Sequence, residues 1–348
     1  MLEWSAEREQ GDMRNAIVMA AGKGTRMHSE TSKIMHPILD RPMLGYTLDA
    51  LKQVHADRVI VIVGYQRDSI MQAYPGLEYA VQEPQLGTGH AVMQASALEN
   101  EDGMTLILNG DVPLIQPETL EELYAAAAQA DGAVLTSVVE DGAHYGRIIR
   151  NADGEVIAIV EAKDCSEEQK KIREINTGIY CFDNKALFAG LKKLTNDNAQ
   201  HEYYLPDLVK IFTSEGKKIA GVPVKDRVET AGINDCAELA EAEEWMRNRI
   251  NLKHMKNGVQ LHDPKRTVIG PDVIIGHDVI IHPDTEILGV SRLGDYCEVF
   301  SGTSIRDSQL GNHSSARLCI IEESQIKDGE QVQPFTIRRK SVEEEITK

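Results

Sequence analysis

Apolar and polar positions change rhythm twice along the chain. Up to about residue 230, short apolar runs alternate with stretches whose apolar residues recur every three or four positions. The runs from Ile17 to Ala21, Arg58 to Gly64, Glu78 to Gln82, Met104 to Asn109 and Ala133 to Val139 read as strands. The stretches from Met43 to Val54, Thr88 to Leu98 and Pro117 to Gln129 read as helices. Strands rich in Val and Ile, without polar alternation, are buried on both faces. A mostly parallel sheet with helices on each side is therefore expected. Residues 235 to 254 predict one long helix with Leu239, Ala242, Met246 and Ile250 on a single stripe. Beyond it the period becomes six. Ile269, Ile275, Ile281, Ile287, Leu293, Val299 and Ile305 mark it, and small or β-branched residues (Val273, Val279, Thr285, Ser291, Cys297, Thr303) follow the first six at a spacing of four. A six-residue period is that of a β-helix with three repeats per triangular coil. Leu310, Ala316, Ile321 and Ile326 then step by five or six, as where coil corners are shortened.

These rhythms divide the chain into an N-terminal extension (1–14), an α/β domain (15–234), a linking helix (235–257), a repeat domain (258–338) and a polar tail (339–348). A net charge of −18 argues against duplex nucleic acid or an anionic membrane surface as partner. No apolar run reaches a membrane-spanning length, and the polar N-terminus lacks a signal-peptide core. Five cysteines without close pairing or metal spacing fit reduced thiols, so a cytoplasmic protein is expected.

Ligands of parallel α/β sheets sit beyond the carboxyl ends of the strands. After the first strand comes Met19-Ala20-Ala21-Gly22-Lys23-Gly24-Thr25-Arg26, with Lys33 seven residues on. Small residues let backbone N–H groups approach phosphate oxygens, and Arg26 and Lys33 supply charge. Between Arg14 and Leu39 four cations face one acid, a local positive patch on an acidic protein, which favours a small anionic ligand. The spacing is not that of a P-loop. Gln82 carries a donor and an acceptor that suit the pairing edge of uracil, Gly87 lets backbone reach a base, and Thr88 would cap a helix. The same residues read equally well as a plain strand, loop and helix start. Asp111, after Asn109-Gly110, occupies a good Mg²⁺-ligand position, with Asn234 as a candidate second oxygen. Gly146, Glu161 and Asn176 could close over a sugar, although each alone reads as a turn or a solvated group. His90 reads as structural.

The run Ala20 to Met27 with Lys33 resembles the signature of sugar-nucleotide pyrophosphorylases. Over roughly residues 16–335 the chain resembles the bifunctional UDP-N-acetylglucosamine pyrophosphorylase and glucosamine-1-phosphate N-acetyltransferase family. The resemblance implies a Rossmann-like nucleotidyltransferase with a mixed sheet, followed by a short left-handed parallel β-helix. It implies a nucleoside site at Met19, Ala20, Ala21, Gly22, Gln82, Gly87 and Thr88, and catalytic roles for Arg26, Lys33 and Asp111. It further implies a sugar site at Asn109, Gly110, Gly146, Glu161, Asn176 and Asn234, and Mg²⁺ on Asp111 and Asn234. UTP and a hexosamine 1-phosphate are the implied partners, and a homotrimer through the β-helix is the implied assembly. The later coils that build the family's acetyltransferase site are not in the sequence, so that activity is expected to be absent. Met19, Ser32 and Asn109 depart from the leucine, proline and tyrosine usual in the family. Two alternatives stay open: transfer of uridylyl or thymidylyl to another sugar 1-phosphate, and a non-catalytic sugar-nucleotide sensor or assembly subunit.

Overall fold

The computed structural model of the protein describes residues 13–142 and 144–339. The expected extension as far as residue 12, and the tail from residue 340, lie outside the described residues. The chain forms two compact units. The first holds residues up to 36 and 43–235, the second 37–42 and 236 onward.

The first unit is built on a nine-stranded sheet. Its strands are β1 (Arg14–Ala20), β2 (Arg58–Val63), β3 (Glu78–Val81), β4 (Met104–Asn109), β5 (Gly132–Val138), β6 (Arg147–Arg150), β7 (Val156–Val160), β8 (Glu174–Asp183) and β9 (Ala220–Pro223). The main order is β9-β5-β8-β4-β1-β2-β3, with β6 pairing β8 and β7 pairing β6. The sheet is mixed, because β8 runs antiparallel to both β4 and β5. Helices cover both faces, as the unalternated strands require. Along β1, Ala16, Val18 and Ala20 pack with Leu44, Leu48, Leu120 and Leu123 on one side. Ile17, from the same strand, packs on the other side with Val92, Leu187, Leu208 and Phe212. Tyr180, Phe182 and Phe212 are among the largest fully buried side chains, and such burial contributes roughly 2–3 kcal/mol each.

The helices are α1 (Met43–Gln53), α2 (Arg67–Ala73), α3 (Thr88–Met93), α4 (Pro117–Ala128), α5 (Asn184–Leu191) and α6 (Asp207–Ser214), with a short turn of helix at Glu167–Lys170. The helix expected to run from Thr88 to Leu98 stops at Met93, and Ser96–Leu98 forms a separate 3-10 turn. Gln94 explains the break. Its Nε2 donates to the His90 carbonyl (2.9 Å), while its backbone N–H closes on Ala91 O (3.1 Å). The side chain has taken over an acceptor that a further helical turn would use.

The second unit is a left-handed β-helix preceded by α7 (Cys236–Lys256). Three parallel sheets run along it. Thr267 pairs with Thr285, Ile274 with Arg292 and Ile280 with Glu298, so the first coils repeat every eighteen residues. Arg292 then pairs with Gln309, a coil of seventeen, and Ser304 with Ile320, a coil of sixteen. The loosened period is thus a shortening of corners. Ile269, Ile281, Ile287, Val299 and Ile305 fill the interior at 0% exposure. Helix α7 buries Ala242, Met246 and Ile250. It also carries the buried Asn251, whose Nδ2 donates to Pro264 O (2.8 Å) and Thr267 O (2.9 Å) at the first coil. The six residues Pro37–Pro42 join this unit as a two-strand hairpin. Its Asp40 accepts from the Gly289 N–H, and its Arg41 pairs with Asp272. Periodicity carries no signal for that long-range pairing. Among the described residues no helix is long and apolar enough to cross a membrane, and all five cysteines are free thiols.

Candidate active site

Strands β2 and β4 flank β1 in parallel, so three strand ends deliver their loops to one edge. Met19 is in register with Asn109, and its carbonyl accepts from the Gly110 N–H (2.9 Å). That bond aligns the small-residue loop with Asn109-Gly110-Asp111. A cavity of about 350 Å³ opens here, lined by Met19, Ala20, Ala21, Gly22, Lys33, Gln82, Gly87, Thr88, Asn109 and Asp111. Gln85 and Glu202 also line it and were not foreseen from the sequence.

Lys33 reaches the site because Gly24 lets it pass. Gly24 has φ +60°, and a Cβ there would lie 2.5 Å from Lys33 Cβ. The Lys33 ammonium pairs with Asp111 Oδ2 and donates to Asn234 Oδ1 (3.0 Å). Arg26 Nη2 donates to the same Asn234 oxygen (2.9 Å). Asn234 is brought here by the Ile233 N–H, which donates to Asp111 O (3.0 Å). Residues 26, 33, 111 and 234, far apart in sequence, therefore meet at one point. Asp111 and Asn234 aim their oxygens at a single cation, the Lys33 ammonium. A carboxylate and an amide oxygen converging in this way suit a hard divalent ion that takes its remaining ligands from phosphate and water. Among the described residues no three His, Cys, Asp or Glu side chains group into a ready-made metal cage.

At the other end of the cavity Gln82 is buried. Its Nε2 donates to Gly87 O (2.9 Å) and lies 3.3 Å from His90 Nδ1. The amide is fixed by its nitrogen, which leaves its oxygen to receive a ligand's N–H. His90 is a support for Gln82. Thr88 does not cap α3 with its side chain. Its Oγ1 accepts from the Leu205 N–H instead (3.1 Å), holding a strap of chain over the loop. Gln85 Nε2 donates to Ala21 O and so braces the small-residue loop within the cavity wall.

The three sugar-side candidates also meet. A Cβ on Gly146 would lie 3.3 Å from Glu161 Oε1 and 3.5 Å from Asn176 Cβ, and Gly146 O accepts from the Asn176 N–H (2.8 Å). Asn176 Nδ2 donates to the buried Tyr180 hydroxyl (2.6 Å) and its Oδ1 accepts from the Gly178 N–H (3.0 Å). Between Asn176 and Tyr180 the pairing of β8 with β5 slips. At this irregularity Gly178 has φ +79°, and a Cβ there would lie 2.8 Å from Asn109 Nδ2. The slip thus brings Gly178, two residues after Asn176, against Asn109. Burial is the main reason the Glu161 carboxyl holds its proton above the usual carboxylate range, and Asp164, Asp207 and Glu202 add to it.

Comparison with known proteins decides the family. Residues 16–204 match the MobA-like NTP transferase domain. The bifunctional protein GlmU of an Exiguobacterium species is 45% identical over 334 residues, 94% of this chain and 74% of the relative. GlmU of Geobacillus thermodenitrificans is 43% identical over 92% of this chain and 71% of its own length. The chain belongs to the GlmU family. Like its GlmU relatives it is a nucleotidyltransferase, with the activity of a sugar-nucleotide pyrophosphorylase. A crystal structure of UDP-glucose pyrophosphorylase with UDP-glucose superimposes with a TM-score of 0.57 over 68% of this chain and 99% of that one. At 17% identity it shows the shared fold alone.

Proposed function

We propose that the protein joins UTP to N-acetylglucosamine 1-phosphate, giving UDP-N-acetylglucosamine and pyrophosphate. The observation that carries this reading is the meeting of Arg26, Lys33, Asp111 and Asn234 at one end of a cavity whose other end holds Gln82. The sugar phosphate's own anionic oxygen attacks the α-phosphorus in line and pyrophosphate leaves, so no general base is needed. Catalysis is then positioning plus neutralisation of charge. Lys33 and Arg26 hold phosphate oxygens as charge shifts onto the leaving group. Backbone N–H groups of Ala20 to Gly22 lie along the same cavity. Mg²⁺ would be held by Asp111 and Asn234, and when bound it supplies further neutralisation of the phosphates. The oxygen of Gln82 receives the N3–H of the base, Met19 and Thr88 line the nucleoside pocket, and Gly146, Glu161 and Asn176 receive the sugar.

Glu161 gives this reading a pH dependence. As an acceptor for sugar hydroxyls it must be ionised, and its proton is held above the usual carboxylate range, mainly by burial. The KM for the sugar phosphate should therefore fall as pH rises through that raised value. Glu161→Gln should weaken binding and remove this part of the slope, leaving only that of the substrate phosphate. Parallel KM–pH profiles for wild type and variant would contradict the role.

Thymine shows Gln82 the same N3–H, so dTTP is the natural competitor. Pyrophosphate release is measured with Mg²⁺ for four nucleoside triphosphates against N-acetylglucosamine, glucosamine, N-acetylgalactosamine and glucose 1-phosphates. Activity confined to UTP and highest with N-acetylglucosamine 1-phosphate is the expected result. A best rate with another base or sugar moves the substrate assignment. A blank grid with measurable UDP-sugar binding leaves a sensor.

A further inference from the structure

Glu229 is a buried carboxylate, 8% exposed, in the 3-10 turn Arg227–Thr230. Its Oε2 accepts from the Thr119 hydroxyl (2.6 Å) and from the Gln116 N–H (3.3 Å). Both donors belong to the start of α4, where Gln116 stands at the N-cap and Thr119 in the first turn. The Gln116 side chain is engaged elsewhere, with Nε2 donating to Leu114 O (2.5 Å). A carboxylate is favoured at this helix end, because the first N–H groups lack helical partners and the dipole is positive there. Glu229 thus caps α4 from more than a hundred residues away.

A cap alone needs no such reach, since a serine or aspartate at position 116 would supply one locally. What the distance adds is a tie between two segments of the active site. Asp111 lies in the loop from β4 into α4, and Asn234 follows the turn that carries Glu229. The two segments are joined at both ends. The Ile233 N–H donates to Asp111 O (3.0 Å) at one end, and Glu229 holds Gln116 and Thr119 at the other. The stretches between are stiff. Val112, Leu114 and Ile115 are buried. Asp226 Oδ1 accepts from the Val228 N–H (3.0 Å), and Val228 O accepts from the Ala231 N–H (3.2 Å), which closes the turn. Asn234 Nδ2 donates to Gly232 O (2.9 Å), while its oxygen accepts from Lys33 and Arg26.

We propose that Glu229 is a positioning residue for the reaction. By fastening its turn to α4 it holds Asn234 where the amide oxygen can set the Lys33 and Arg26 cations beside Asp111. The proposal rests on the catalytic reading of that cluster given above.

The test uses the full chain with Glu229→Ala and Glu229→Gln, and amide hydrogen exchange gives a readout that needs no substrate. Glu229→Ala should speed exchange at least about tenfold at the Ile233 N–H as well as in the first turn of α4. It should lower kcat at least about tenfold, with the KM for UTP and for the sugar 1-phosphate each within about threefold. Glu229→Gln keeps an oxygen for both donors and should stay within about threefold of wild type in both measurements. A residue that acts through Asn234 adds nothing once that side chain is gone. In an Asn234→Ala background Glu229→Ala should therefore cost less than about twofold in kcat, although it still lowers the melting temperature. Thr119→Val keeps the side-chain shape and removes the donor. It repeats the cycle with an expected loss of about threefold should Glu229→Ala not fold. Faster exchange confined to α4, with wild-type kcat, would make Glu229 a helix cap only and overturn the proposal. Losses that multiply in the double variant would overturn it as well, because Glu229 would then act by another route. If Asn234→Ala alone turns over like wild type, the reading of the cluster fails and the proposal falls with it. Should wild type turn over no substrate pair, unchanged exchange at Ile233 in Glu229→Ala still overturns the role of Glu229.

Discussion

Replacing Asp111 with alanine lowers pyrophosphate release at least about a hundredfold and leaves the protein folded, with a melting temperature within about 3 °C of wild type. The two halves of this expectation have different physical origins. The Lys33–Asp111 pair is partly open to water, with side-chain exposures of 14% and 20%. Breaking such a pair changes stability little, because solvent screens the attraction and rehydrates both groups. On the proposed mechanism, turnover depends instead on where the Lys33 charge stands when the leaving pyrophosphate develops its own. Asp111 and Asn234 together fix that charge, and loss of one preorganised electrostatic group is commonly worth two or three powers of ten. Asp111→Asn separates two roles. If Asp111 only positions Lys33, asparagine leaves the Mg²⁺ requirement unchanged. If it also binds the ion, the concentration of Mg²⁺ needed for half-maximal rate rises. Wild-type turnover in Asp111→Ala would remove Asp111 from the catalytic set altogether.

The loop after the first strand, and the cavity it lines, were legible before the fold because their signals are local. A run of buried strand followed by Ala20-Ala21-Gly22 announces a loop at a strand end, and register alone then sets Met19 against Asn109. The β-helix was legible for the same reason. Its period is carried by interior residues that each coil repeats, and even the shortened corners showed as missing positions between Ile305 and Ile326. Approaches across the fold were not visible. Nothing in the sequence brings Asn234 to Asp111, which depends on the bond from Ile233 N–H to the Asp111 carbonyl. Glu202 escaped notice because a glutamate in a polar loop is ordinary. Only the strap held to Asn198 brings it to the cavity. Gln85 was overlooked beside Gln82, although both stand in the same loop. The run of polar residues there gave no means of telling that Gln85 also lines the cavity and braces the loop through Ala21. The hairpin at 37–42 likewise holds its partners by side-chain contacts more than two hundred residues away, from Asp40 to Gly289 and from Arg41 to Asp272.

The second large effect falls on the β-helix. Gly294→Val should destabilise the protein by about 3–5 kcal/mol and give an earlier, separate step in thermal unfolding followed by circular dichroism. One corner of each coil is joined to the next through a polar side chain. The His277 N–H donates to Asp295 Oδ1 (3.0 Å), the Asp295 N–H to Asn312 Oδ1 (2.8 Å), and the Asn312 N–H to Asp328 Oδ1 (2.8 Å). Each carbonyl-bearing side chain reaches back over the glycine of the coil before it. A Cβ on Gly294 would lie 2.6 Å from Asn312 Oδ1 and 2.8 Å from Asn312 N, so no side chain fits while the stack is closed. Valine must push the coils apart. That forfeits the bond from Asp295 N–H and strains the adjacent one from Gly294 N–H to Leu310 O (2.8 Å). The Asp295 N–H lies near the surface, where water can take it up, so most of the cost comes from opening the coils over their buried apolar column. Removing the obstructing side chain gives the control. Asn312→Gly alone should cost about 1 kcal/mol for the lost bond, and combined with Gly294→Ala it should cost less than the two single changes added together. Additive losses would show that the glycine is not kept for the passage of Asn312, and an unchanged melting curve in Gly294→Val would show that the stacked corner contributes nothing to holding the coils.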